Sequence, residues 1–296
     1  MSRFWTDAFS EMVAPARHRP ALWRLILGIV LAVFVYALFV AGEVIAARLI
    51  GGPGAIPWIV EGFRGTGSAA QTALLLASFG GMALGAVVAA RVLHKRPART
   101  LFGTDAGLFW RDFFRCFGAV TVLIGGSGML YLVFGNPVPN QPLDRWLVWI
   151  LPALGLVLLQ IGAEEMFFRG YLQTQLAARF RAPFFWFFLP ALLFGIAHYN
   201  GEGGVAWVLV VAATVFGLIA ADLTTRTGSI GAAMGFHMAN NVLALLIVSV
   251  DGTITGLSLY VTGFSADEID FTRPIYLFDA AVMILAWLAC RRLVRR

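Results

Sequence analysis

Apolar runs of about twenty residues, each long enough for one helix to cross a bilayer, recur along this chain until little else is left. They lie near 24–47, 68–93, 113–134, 147–178, 184–200, 204–223, 229–250 and 274–291. With 59% hydrophobic and only 13% charged residues, the composition is far from the soluble norm of about 25% charged residues. The expected fold is therefore all-α, a polytopic membrane bundle of about eight transmembrane helices around a polar cavity. Breaks such as Gly51-Gly52-Pro53-Gly54 and Asn136-Pro137-Val138-Pro139 mark loops. Residues 1–140 supply N-terminal transmembrane helices without an assignable motif. Residues 141–296 supply a core with a C-terminal anchor helix, and the two parts form one integrated membrane domain.

Orientation follows from the positive charge. Arg3, Arg17, Arg19 and Arg24 precede the first run, and Arg91, Lys95, Arg96, Arg99 and Arg111 join the second to the third. Arg179, Arg181 and Arg226 fall in later loops of the same side, and Arg291, Arg292, Arg295 and Arg296 close the chain. The alternate loops are poor in positive charge, the last carrying Asp251, Asp267, Glu268 and Asp270. Both termini are thus expected in the cytoplasm of a plasma membrane, a bacterial inner membrane being the natural setting. The first run is too long for a signal-peptide core and follows Asp7 and Glu11, so no cleavable signal is expected. The +6 balance reads as topology and not as nucleic-acid binding. Cys116 and Cys290 are expected to stay reduced. Trp58, Trp146, Trp149 and Trp186 fit interfacial belts, with buried packing an equal explanation for any one of them, and Asp222, Thr224, Thr225 and Arg226 read as a solvated span end with a minor alternative of contacting a substrate.

Against this apolar background Glu164, Glu165 and Arg169 stand out. A charge within a bilayer costs at least about 2.5–3.5 kcal/mol, so it faces partners, water or a site. Helical spacing pairs Glu165 with Arg169 and turns Glu164 about 100° away, towards a cavity. Counted from the Arg181 turn, Glu164 and His198 are equally deep, and His237 and Asn241 approach the same depth from Arg226. One carboxylate, two imidazoles and an amide can therefore meet in a cavity opening inward.

E-E-x-x-x-R at 164–169, F-x-x-x-H at 194–198 and H-x-x-x-N at 237–241 occur in that order on successive apolar runs. Together they resemble the signature of the CPBP family of intramembrane proteases, which includes the type II CAAX prenyl endopeptidases and relatives linked to bacteriocin maturation and immunity. Thr227-Gly228-Ser229-Ile230 also resembles the family pattern. The resemblance covers roughly 155–250 and implies an intramembrane endopeptidase acting on a membrane-embedded or lipidated peptide, with membrane lipids as its surroundings. Amide hydrolysis needs an activated water, an oxyanion donor and a proton for the leaving amine. Glu164 and His198 suit the water, and His237 and Asn241 suit the oxyanion, with Glu165 and Arg169 in support. No cofactor is required by that reading.

A zinc version, with Glu164, Glu165, His198 and His237 as ligands, is the alternative, although no H-E-x-x-H is present. Three other classes stay open: a proton-coupled transporter, a haem protein ligated by His198 and His237, and a non-catalytic immunity or scaffold protein.

Overall fold

A computed structural model describes residues 5–62, 67–199, 201, 203–269 and 274–294. Arg3, Asp270, Arg295 and Arg296, part of the orientation argument, lie outside them. The described chain is a helical bundle. A short helix α1 (Asp7–Val13) leads to α2 (Leu22–Gly51), α3 (Ala55–Gly62), α4 (Ala69–His94) and α5 (Ala106–Phe134). Then come α6 (Leu143–Glu165), α7 (Thr174–Arg179), α8 (Leu189–Ile196), α9 (Gly203–Thr227), α10 (Gly231–Val242) and α11 (Pro274–Leu293).

Each expected apolar run falls on a helical segment. Among the described residues five helical stretches are long and apolar enough to span a membrane: Leu22–Gly62, Ala69–His94, Ala106–Phe134, Leu143–Arg179 and Ala206–Thr227. Phe184–Ile196 and Gly231–Ile247 are apolar but shorter. The outward faces are those of a lipid-facing shell, with Ile26, Val33, Leu49, Val122, Phe134 and Leu151 exposed.

Three features go beyond the expectation. A small sheet at the far ends of α5, α6 and α10 orders its strands β1 (Val138–Pro139), β3 (Tyr260–Ser265) and β2 (Val248–Asp251). β1 pairs antiparallel and β2 parallel to β3. Second, α1 tucks under the bundle, with Phe9 fully buried against Trp5 and Trp186. Of the two readings open for Trp186, belt or buried packing, the structure shows the second. Third, Asp222, Thr224 and Thr225 are buried, correcting the solvated reading of that span end: Asp222 accepts from Arg226 Nε at 3.0 Å and from Trp287 Nε1 at 2.9 Å.

The N-terminal helices are bound to the core by polar contacts at the arginine-rich end. Buried His94, at the end of α4, pairs with the Tyr171 hydroxyl at 2.9 Å. Just beyond, Arg96 donates to the Thr174 hydroxyl at 3.0 Å and to the Gly170 carbonyl at 3.4 Å. Burial pulls Arg96 down to about 10 from its ordinary value, since little water remains to solvate the charge.

Candidate active site

The acid pair sits where the winding of the main helix changes. α6 ends at Glu165, and Met166–Gln173 continues the same rod as a π-helix before α7 resumes. Such widened turns are rare and frequent at functional sites, because they rotate the side chains that follow. Glu165 is fully buried and takes Arg169 Nη1 at 3.1 Å, so the i, i+4 pair is formed. Arg169 also donates to the Gly217 carbonyl of α9 at 3.3 Å and lies over the Phe194 ring of α8 at 4.6 Å. One guanidinium thus ties three helices together. A buried carboxylate needs such compensation.

His237 reaches the acids from α10. The turn before that helix is set by Gly228, whose φ of +65° favours glycine, and by the Ser229 hydroxyl, which accepts from Gly231 N at 3.1 Å. Gly231 and Gly235 then let α10 lie directly on the α5 backbone, where a Cβ would strike the carbonyls of Phe109 and Phe113. In this position His237 Nδ1 is 2.9 Å from Glu165 Oε1, and Nε2 is 3.5 Å from Glu164 Oε2.

That geometry constrains the protons. Glu165, held by Arg169, is an acceptor, so His237 Nδ1 carries the hydrogen between them. Nε2 and Glu164 Oε2 then face each other at 3.5 Å. Glu164 Oε2 and Glu165 Oε2 are both buried without a hydrogen bond among the described residues, but Glu165 Oε1 holds two donors, Arg169 and His237, whereas Glu164 has only the distant Nε2. Its loose approach to Nε2 leaves it open to a third group.

His198 lies at the end of α8 on a more exposed edge. Its Nδ1 is 2.8 Å from the Phe194 carbonyl, which can only accept, so Nδ1–H is fixed and Nε2 keeps a basic lone pair. The Phe194 ring lies 4.6 Å from the His198 ring and 6.1 Å from that of His237. Asn241 stands one turn beyond His237 on α10. Its Nδ2 donates to Gln160 Oε1 at 3.2 Å, and its Oδ1 accepts from Asn240 Nδ2 at 3.1 Å. The structure therefore joins Glu164, Glu165, Arg169 and His237 directly. His198 is exposed and meets Phe194 and not the acids, with Phe194 standing between it and His237, and Asn241 makes a neighbouring contact with Gln160. Sequence reasoning missed Gln160, although a polar residue four before Glu164 in an apolar helix was a signal that could have found it.

The same atoms bear on the zinc alternative. A ligand nitrogen must turn its lone pair to the ion at about 2 Å. His237 bonds Nδ1 to Glu165 and turns Nε2 to Glu164, while His198 bonds Nδ1 to its own helix, so each ring has Nε2 as its remaining ligand atom. Among the described residues no group of three or more His, Cys, Asp or Glu side chains is arranged to hold a metal ion. Cys116 and Cys290 are free and buried, with Cys290 Sγ 4.0 Å from the Cys116 carbonyl.

Comparison with known proteins gives this arrangement a lineage. Residues 145–243 match the family model described as type II CAAX prenyl endopeptidase Rce1-like, and that span contains every side chain of the cluster. The chain is also 30% identical over 210 residues to YyaK, an uncharacterized protein of Bacillus subtilis (strain 168), covering 68% of this chain and 70% of that relative. No solved structure matches. On the ordered motifs, the helical membrane architecture and these matches, the chain belongs to the Rce1-like family of intramembrane CAAX-type proteases.

Proposed function

We propose that the protein hydrolyses a peptide bond of a membrane-embedded or lipidated peptide through a water activated by Glu164 and His198. The observation that carries this reading is the buried Glu164 Oε2, which no hydrogen bond fills although an imidazole lies 3.5 Å away. Glu165 Oε2 is empty too, but that carboxylate is held through Oε1 by Arg169 and His237; Glu164 is the one with room for a reactant on the whole group.

The steps follow from the side chains. Glu164, ionised beside the His237 imidazolium, takes a proton from a water that His198 Nε2 also accepts from and orients. The water oxygen attacks the scissile carbonyl carbon, and negative charge develops on the carbonyl oxygen. His237 Nε2–H and the second Asn241 Nδ2–H donate to that oxygen. The 3.5 Å separation from Glu164 is too long for a strong hydrogen bond, so Nε2–H can turn to the oxyanion. Glu164 then passes its proton to the leaving nitrogen, the C–N bond breaks and two peptides result. Glu165, backed by Arg169, keeps the proton on His237 Nδ1 and the ring in place.

An apolar cavity of about 620 Å³ supports a lipid-bearing substrate. Its walls include Phe102, Phe109, Trp110, Leu158 and Met234. Leu158 and Met234 belong to α6 and α10, the helices that carry Glu164 and His237. The arginine-rich loops support cytoplasmic termini in a plasma membrane, with the site reached from the inner side.

The test is cleavage, in detergent, of a farnesylated peptide ending in a CAAX sequence. The wild type is expected to cut it, and Glu164→Gln to lose at least about 10²–10⁴-fold in kcat with its thermal midpoint kept. Full activity in Glu164→Gln overturns the proposed chemistry. Activity in the wild type is expected to survive strong chelators. Loss on chelation with recovery on added zinc would replace the mechanism by the metal version.

A further inference from the structure

Gln160 is absent from the mechanism above, yet its placement repeats that of Glu164. It lies four residues earlier on α6, on the same helical face, one turn farther from the arginine-rich end. On α10, Asn241 stands four residues after His237. The two helices run antiparallel, so the pairs Glu164–His237 and Gln160–Asn241 form successive rungs, at 3.5 Å and 3.2 Å.

The second rung decides which end of the Asn241 amide points where. A primary amide is nearly symmetric in shape, and its oxygen and nitrogen ends differ only in what they accept or donate. The Asn240 amide N–H sits on the Asn241 oxygen, and the Gln160 carbonyl demands a donor from the opposite helix. Together they turn Asn241 Nδ2 towards α6, beside the face that carries Glu164. One N–H of that nitrogen goes to Gln160, and the other is left for a substrate oxygen.

We infer that Gln160 is a positioning residue for the hydrolysis: its side-chain carbonyl sets the orientation of the Asn241 amide so that Nδ2–H is presented to the carbonyl oxygen under attack. This rests on the proposed role of Asn241 as an oxyanion donor. A purely structural amide bridge between helices would alter stability but not catalysis, so the two roles separate in a mutant cycle.

The cycle uses Gln160→Met, Asn241→Ala and the double variant in the full-length protein in detergent, with the farnesylated CAAX peptide as probe. Asn241→Ala is expected to lower kcat by about 10²-fold. Gln160→Met, which keeps the length of the side chain but removes its carbonyl, is expected to lower kcat by about 10-fold with KM little changed. The double variant should be no worse than Asn241→Ala alone, because Gln160 acts only through that amide. Losses that multiply, or a Gln160→Met enzyme with wild-type kcat, overturn the inference. A Glu164→Gln enzyme that still cleaves instead overturns the mechanism on which it rests, so the two failures are distinct. A readout without substrate completes the test. The side-chain NH₂ signal of Asn241, assigned by its disappearance in Asn241→Ala, should shift and exchange faster with solvent in Gln160→Met. An unchanged signal there removes the contact itself.

Discussion

Two buried acidic clusters, one on α6 and one on α9, look alike in sequence and differ in what their oxygens do. Asp222 on α9 is crowded with donors: Arg226 Nε contacts both oxygens at 3.0 Å, Trp287 Nε1 reaches Oδ2 at 2.9 Å, and Arg291 Nε approaches Oδ2 at 3.3 Å. Glu164 on α6 meets a single imidazole at 3.5 Å, and its Oε2 is left without a hydrogen bond. Both carboxylates are buried at helix junctions. Asp222 has more cation than it needs and fastens α11 to α9 as a strut. Glu164 has less than it needs. A charged residue in an apolar chain is an anomaly in either case, and a carboxylate with no close donor on either oxygen, unlike Asp222 or the Oε1-bound Glu165, is what marks a site and not a brace.

Breaking the compensation inside the site should give the largest effect. Arg169→Met removes the guanidinium from Glu165 while leaving that carboxylate fully buried, and it also takes away the bond to the Gly217 carbonyl. Loss of one partner of a buried pair destabilises by about 3–5 kcal/mol, so denaturation in detergent should shift by that order and peptide cleavage should vanish. Adding Glu165→Gln in the same chain should recover much of the stability without restoring activity, because a neutral amide no longer demands the proton on His237 Nδ1. Unchanged stability in Arg169→Met would mean that Glu165 is already neutral, and the contrast with Asp222 would collapse.

The sequence made one half of this contrast legible and hid the other. Glu165 and Arg169 share a helical face by spacing alone, so their pairing needs no knowledge of other helices. The order of apolar runs likewise yields the bundle, since length and hydropathy are properties of each segment. The grip of both carboxylates on His237 depends on how α10 is rotated against α6. That rotation is set by the Gly228 turn, by the closeness of Gly231 and Gly235 to α5, and by the π-helical winding after Glu165. None of these has a periodic trace. The burial of Asp222 needed α11 to be folded back onto α9, and the burial of Trp186 needed α1 beneath it. Gln160 was visible as a polar residue but meaningless until its partner across the bundle was known.

A smaller effect is expected on the strut. Asp222→Asn removes the charge that Arg226 and Arg291 share, but both arginine side chains are about 30% exposed, and water screens the repulsion that remains. The retained amide oxygen still accepts one donor. Stability should fall by about 1–2 kcal/mol, measured by the same denaturation, and kcat on the peptide should stay near wild type. A loss of kcat comparable to that of Glu164→Gln would join the two clusters into one functional unit and break the comparison.

The smallest effect should come from Trp287→Phe, which deletes the indole N–H to Asp222 and keeps an aromatic ring beneath the Arg291 guanidinium, now 4.7 Å from the indole ring. Because Arg226 and Arg291 still fill the oxygens of Asp222, no buried acceptor is orphaned. The change should stay within about 1 kcal/mol of stability with activity untouched. The matching deletion at the site, His237→Phe, also replaces a nitrogen donor by an apolar ring beside a carboxylate. There the remaining partners do not cover the loss: Glu164 would face no donor and Glu165 only Arg169, so cleavage should disappear. If both substitutions proved equally mild, the lack of a close donor would no longer mark Glu164 as the reactive carboxylate.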